Sequence, residues 1–190
     1  MAQIEDRASR FISYIDSALT REDFKKLLAR AKSDFHDATH HCWAFRIGID
    51  PSEELSSDDG EPSGSAGLPM IRVLAGKNLS NVACIVTRYF GGTKLGVGGL
   101  MRAYSQAASA AIRDAGIVER FEMAKFDVLL PYNMYSEFET AIVRVDGKIL
   151  SAEFGADVSI KFEVPKSNID AISSVLADLS RGKIKPKPIT

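Results

Sequence analysis

Residues 82–115 read VACIVTRY, then FGGTKLGVGG, then LMRAYSQAASAAIRDA. An apolar, β-branched run passes through a glycine-dense bend into a long alanine-rich stretch. The pattern predicts a buried strand over 82–89, a loop over 90–97 and a helix over 98–115. Ala103, Ala107, Ala110 and Ala111 let that helix lie close against a sheet. The charge in this region is one-sided. Asp58, Asp59 and Glu61 precede it, and then no Asp or Glu occurs from Pro62 through Arg113, whereas Arg72, Lys77, Arg88, Lys94, Arg102 and Arg113 all do. The whole chain carries a net charge of −1, so the bias is local and any anion site is a patch, not a coat of bulk charge.

Around this core the remaining elements alternate. Residues 10–17 predict a strand. A helix after Thr20 carries a capping-box-like Thr-x-x-Asp to Asp23 and an apolar stripe at Phe24, Leu27, Leu28, Ala31 and Phe35. Residues 41–49 predict another strand. Residues 50–67, polar and rich in Ser, Gly and Pro, predict a long loop, and residues 68–75 a short helix with Pro69 in its first turn. Up to about Arg120 this makes one α+β domain. Beyond it, residues 125–131, 136–145, 147–154, 157–164 and 168–180 predict strand, helix, strand, strand and helix, and the tail RGKIKPKPIT predicts a last edge strand. That order is a split βαβ, ferredoxin-like unit, so the expected domains are 1–120 and 121–190. Two cysteines, Cys42 and Cys84, are too few for a disulfide framework and read as reduced core thiols of a cytoplasmic protein. No apolar run approaches membrane-spanning length, so no membrane partner is expected.

The segments DDGEPSGSAGLP (58–69) and VTRYFGGTKLGVGGLMRAYS (86–105), with SRFIS (9–13) and HDATHHCWAFRIG (36–48) upstream, resemble the YigZ/IMPACT family. Departures are slight: His41 stands where Asn is more usual and Ser65 where Thr is frequent. The resemblance implies a first domain of the ribosomal protein S5 domain 2-like fold and a second that is ferredoxin-like. That pairing resembles two consecutive domains of elongation factor G. The family's eukaryotic relatives are translation regulators acting through the general-control kinase pathway. The implied partners are RNA or the ribosome, with a translation-factor or kinase-pathway protein besides.

Several residue groups could carry chemistry. The first is an anion site formed by Gly91, Gly92, Lys94, Gly96, Gly98 and Gly99 with the helix that follows, flanked by Arg88 and Arg102. Glycines let backbone N–H groups converge on a phosphate, and a helix N-terminus adds unpaired donors. Tyr89 and Tyr104 could stack on unpaired bases. The same glycines would also serve a plain corner, and the same aromatics a core. Neither a Walker A loop nor a dinucleotide fingerprint matches, and no cofactor is implied. Asp58, Asp59 and Glu61 could hold Mg²⁺ or act as acid and base. They could equally cap the next helix or pair with Arg88, Lys94 or Arg102. His36 and His40, four apart, have a metal-like spacing without a visible third ligand. The alternative functions are therefore a Mg²⁺-dependent enzyme acting on a nucleotide or phosphorylated small molecule, and a protein-interaction module.

Overall fold

The computed structural model describes residues 1–49 and 52–189. Its first unit, Met1–Val118, contains β1 (Ala2–Asp6), β2 (Ser9–Ser17), α1 (Arg21–Asp34), β3 (His40–Ile47), β4 (Glu53–Ser57), α2 (Gly67–Gly76), β5 (Val82–Tyr89) and α3 (Gly96–Ala115). The strands form one antiparallel sheet in the order β1-β2-β5-β3-β4. β5 is the middle strand and has helices on both faces. Its period of two sends Val82, Cys84 and Val86 toward α2 and α3, where Met70, Leu74, Leu100, Ala103, Ala107 and Ile112 meet them. Ala83 and Ile85 face Phe24, Leu27 and Ala31 of α1. This double burial explains why the run is apolar without alternation.

α1 has the expected capping box, with Thr20 and Asp23 satisfying each other's backbone donors. The expected loop over 50–67 is shorter than predicted, because β4 occupies part of it. Asp50 and Pro51 of that loop lie outside the described residues. Two acids in a five-residue strand mislead composition. Glu54 pairs with Arg46 directly across on β3, and Glu53 pairs with Arg21 of α1, so the acids are neutralised where they stand. β1 is a further strand that the alternation did not indicate.

The second unit, Glu119–Thr190, runs β6 (Met123–Leu130), α4 (Tyr132–Arg144), β7 (Lys148–Phe154), β8 (Val158–Pro165), α5 (Ile169–Ser180) and β9 (Lys187–Pro188). Its antiparallel sheet has the order β7-β8-β6-β9. Phe126, Val128, Leu130, Ile160 and Phe162 bury against Phe138 and Ile142 of α4 and Ile172 and Leu176 of α5. The class is α+β, with an S5 domain 2-like first domain and a ferredoxin-like second. On the other face of the two central strands, period two places Lys125, Asp127 and Leu129 beside Ser159, Lys161 and Glu163. None of these is aromatic, so those strands offer no base-stacking surface of the RRM kind. No helix among the described residues is long and apolar enough to cross a membrane.

Candidate functional site

The loop from Asp58 to Gly67 is folded around a carboxylate. Asp59, Gly60 and Gly64 adopt φ of +43°, +86° and +74°, which bend the chain back on itself. One oxygen of Asp58 accepts the N–H groups of Ala66 (2.9 Å) and Gly67 (2.8 Å), and the other that of Gly64 (2.7 Å). Asp58 thus supplies the helix cap that Ala66, at the N-cap position of α2, has no side chain to make. Burial alone would raise its pKa. The three N–H bonds outweigh that and hold it below the ordinary carboxylate value. The Asp59 carboxylate accepts the His41 backbone N–H, and its carbonyl accepts Nδ1–H of His40, both at 2.7 Å. His40, one of the two metal-like histidines, is therefore a loop tie, and His36 is exposed. Among the described residues no three His, Cys, Asp or Glu side chains are grouped as a metal would need.

Glu61 enters the interior. Its carboxylate accepts from Arg88 at 2.6 Å and from the Tyr104 hydroxyl at 2.8 Å, with the Glu61 and Arg88 side chains 3% and 6% exposed. Arg88 also donates to Ser9 Oγ (3.3 Å). The Cys42 thiol donates to the Asp58 carbonyl (2.9 Å) and lies 3.2 Å from the Tyr104 hydroxyl. These contacts correct two sequence expectations. Arg88 is on the same face of β5 as Cys84 and Val86, so its charge is spent inside the domain. Tyr104 is wholly enclosed, packed edge-on to Phe11 with centroids 5.2 Å apart, and has no face for a base. Burial pushes the Cys42 and Tyr104 pKa values up, and Cys84 up to about 12, so none of the three is a ready nucleophile or base. Ser65 Oγ, Thr87 Oγ1 and Arg88 Nε are buried without a partner among the described residues.

Above this network runs the glycine loop. Gly91 donates its N–H to Ser9 Oγ (3.2 Å), and a Cβ on it would stand 2.1 Å from the Ala8 carbonyl carbon. Only glycine fits there. Gly92 and Gly96 adopt φ of +83° and +71°. α3 starts at Gly96, two residues ahead of the expected start, where Leu95 is already in the α region and Gly96 takes the positive φ that turns the chain into the helix. Leu95 makes no side-chain cap, and the first turn holds no acid. Gly96, Val97 and Gly98 are exposed, as are Lys94 and Arg102, whereas Gly99 is buried against Leu95. The Arg102 guanidinium lies 3.8 Å from where a Gly98 Cβ would be. First-turn N–H groups with no side-chain cap among the described residues, the positive end of a 20-residue helix and the exposed Arg102 therefore meet at one place, with the exposed Lys94 two residues ahead of the helix in the chain. A helix start of this kind attracts anions. Tyr89 lies to the side. Arg10 covers its ring at 4.4 Å, and its hydroxyl donates to Asp37 at 2.6 Å. Ser9 and Arg10, absent from the sequence-derived set, are the residues that tie Gly91, Arg88 and Tyr89 in place. Arg10 is opposite Tyr89 in the β2–β5 register, a long-range pairing that no local pattern announces.

Comparison with known proteins bears on the whole chain. The family model for the Impact N-terminal domain matches residues 7–112, and a model for a domain of unknown function, DUF1949, matches residues 128–183. The IMPACT family member YigZ of Escherichia coli K12 is 33% identical over 183 residues, which is 95% of this chain and 90% of that protein. Protein IMPACT of Rattus norvegicus is 32% identical over 100 residues, 50% of this chain and 31% of that protein. A crystal structure of a hypothetical protein superposes with a TM-score of 0.63 at 31% identity, covering 100% of this chain and 93% of that one. With the first family model spanning more than half of its residues and YigZ aligned along nearly all of them, this chain belongs to the IMPACT family, in its two-domain, YigZ-like form.

Proposed function

We propose that this protein is a translation-associated regulator of the cytoplasm that binds RNA or the ribosome through the N-terminus of α3. Membership of the IMPACT family supports the translation-associated role, which the resemblance of the central motifs also implies. The observation that carries the RNA reading is the uncapped, exposed start of α3, set between Lys94 and Arg102 and free of acids through its first turn. A nucleic-acid phosphate matches that arrangement in size, charge and need for donors. Arg88 is reassigned from ligand contact to the support beneath the loop. The enzyme alternative gains nothing from the acids, since Asp58 accepts three backbone N–H groups and Glu61 is committed to Arg88 and Tyr104.

The test is the double variant Lys94→Ala/Arg102→Ala, assayed for binding to ribosomal RNA over a salt series. Both side chains are exposed and unpaired among the described residues, so the fold is expected to persist within about 0.5 kcal/mol. Each lost phosphate contact removes about 0.7 from the slope of log K against log salt for single-stranded RNA, so the double variant is expected to lose about 1.4. An unchanged slope and affinity would refute the reading.

A further inference from the structure

The second domain carries a surface of the opposite character. Residues 128–143 and 149–160 contain no Lys or Arg, yet hold Glu137, Glu139, Glu153 and Asp157. The fold brings the start of the first stretch against the end of the second. Phe154, last residue of β7, packs on Tyr135 at 5.3 Å and on Tyr132 at 6.0 Å, both from the first turn of α4. The Tyr132 hydroxyl donates to the Gly155 carbonyl at 2.7 Å and holds the β7–β8 turn against the helix. The Tyr135 hydroxyl lies 3.3 Å from the Glu139 carboxylate, which fixes that acid on the aromatic face. Asp157 is in the same turn as Gly155.

The cluster is not a core. Phe154 is 59% exposed and Tyr132 52%, and Glu139 and Asp157 are exposed beside them. None of the four acids is in an ion pair among the described residues. Exposed aromatic rings beside carboxylates that have no cation at ion-pairing distance among the described residues suit a positively charged guest. A guanidinium or ammonium lies over the ring while the carboxylates take its N–H groups. The same rim repels a phosphate backbone, so the cluster is distinct in chemistry from the α3 site.

We propose that Tyr132, Tyr135 and Phe154, with Glu139 and Asp157, form a docking surface for a cationic segment of a partner protein, an extended stretch bearing arginine or lysine. The anchor is one cationic side chain seated on Phe154 and Tyr132, and the acids select it over neutral and acidic chains.

Fluorescence anisotropy tests this on the intact, RNA-free protein, with a labelled Arg-Ser repeat peptide as probe and the same peptide carrying citrulline in place of arginine as its neutral isostere. The arginine peptide is expected to bind and the citrulline peptide not to. Phe154→Leu/Tyr132→Leu keeps apolar surface but removes the π faces, and is expected to weaken binding about tenfold. Glu139→Gln is expected to weaken it less and to flatten its salt dependence. Phe154→Leu alone, at an exposed site, guards against loss of fold and is expected to act in the same direction. Equal binding of the citrulline peptide, or unchanged binding by the double variant, overturns the proposal. So does a wild-type dimer in sedimentation that the double variant abolishes, since the cluster would then be a contact between two copies of this chain.

Discussion

Two glycine-rich turns in the first domain lead into helices, and they end differently. The turn before α2 has its converging N–H groups filled by the Asp58 carboxylate, from eight and nine residues upstream. The turn before α3 has no acid in the first turn of its helix and no side-chain cap among the described residues, and its first residues are exposed, as are Lys94 and Arg102. Both are anion nests in backbone terms. One is occupied by the chain itself and serves the fold, and the other is open. A glycine pattern alone therefore does not distinguish a binding loop from a braced corner. The distinguishing residue is an internal anion, or the lack of one.

The contrast sharpens most where the internal acid lies deepest. Glu61→Ala removes the partner of a buried guanidinium and leaves Arg88 charged at a site where its side chain is 6% exposed. Breaking such a pair from one side costs about 3–5 kcal/mol, against about 0.5 kcal/mol or less for Arg102→Ala at the surface. Urea unfolding of the two variants reads the difference directly. A Glu61→Ala loss below about 1 kcal/mol would mean that Arg88 reaches solvent, and it would return that residue to the binding set.

Much of this division was legible before the structure. Alternation along residues 82–89 already placed Arg88 on the face of Val82, Cys84 and Val86, and 3–4 spacing placed Tyr104 in one stripe with Leu100, Ala103 and Ala107. Read strictly, both patterns imply burial. Their charge and aromatic character suggested a ligand instead. What no spacing reveals is the partner. Glu61 is 27 residues from Arg88 and 43 from Tyr104, and only the closed sheet brings them together. β4 was hidden for a related reason: its acids are paired by Arg46 and Arg21 from elsewhere in the fold. In the second domain apolar alternation is regular, and the strand–helix order of a ferredoxin-like unit could be read directly.

A smaller effect is expected at Asp58, and pH exposes it. Its folded pKa is below the ordinary 3.8, so the stability it adds is complete above that value and is lost as pH falls through the folded pKa. Asp58→Asn keeps the shape of the cap but not its charge. Hydrogen bonds to a charged group contribute about 1.5–3 kcal/mol, and the lower end applies to this partly exposed carboxylate. At neutral pH the variant is expected to be about 1.5 kcal/mol less stable, with the gap closing on acidification below the ordinary value. Thermal melts of both proteins from pH 6 to 2.5 check this. A gap independent of pH would assign the cap to geometry alone.

The finest test exchanges one glycine for alanine in the open turn. Gly91 and Gly98 look alike in sequence, seven residues apart. Gly91 has no room for a Cβ against Ala8, and alanine there is expected to disrupt the loop. At Gly98 an added Cβ meets only the end of the Arg102 side chain, at 3.8 Å, and the backbone carries no positive φ. Gly98→Ala is therefore expected to stabilise the protein by about 0.4–1 kcal/mol, because alanine restricts the unfolded chain. The new methyl group lies 3.8 Å from the Arg102 guanidinium in the first turn of the helix, and a phosphate binding there competes with it for that space, so RNA affinity is expected to fall as stability rises. Opposite signs in the two measurements cannot come from damage to the fold. If affinity stays level while stability rises, the donors of the first turn take no part in binding, and the open nest at α3 is a corner like the one that Asp58 fills.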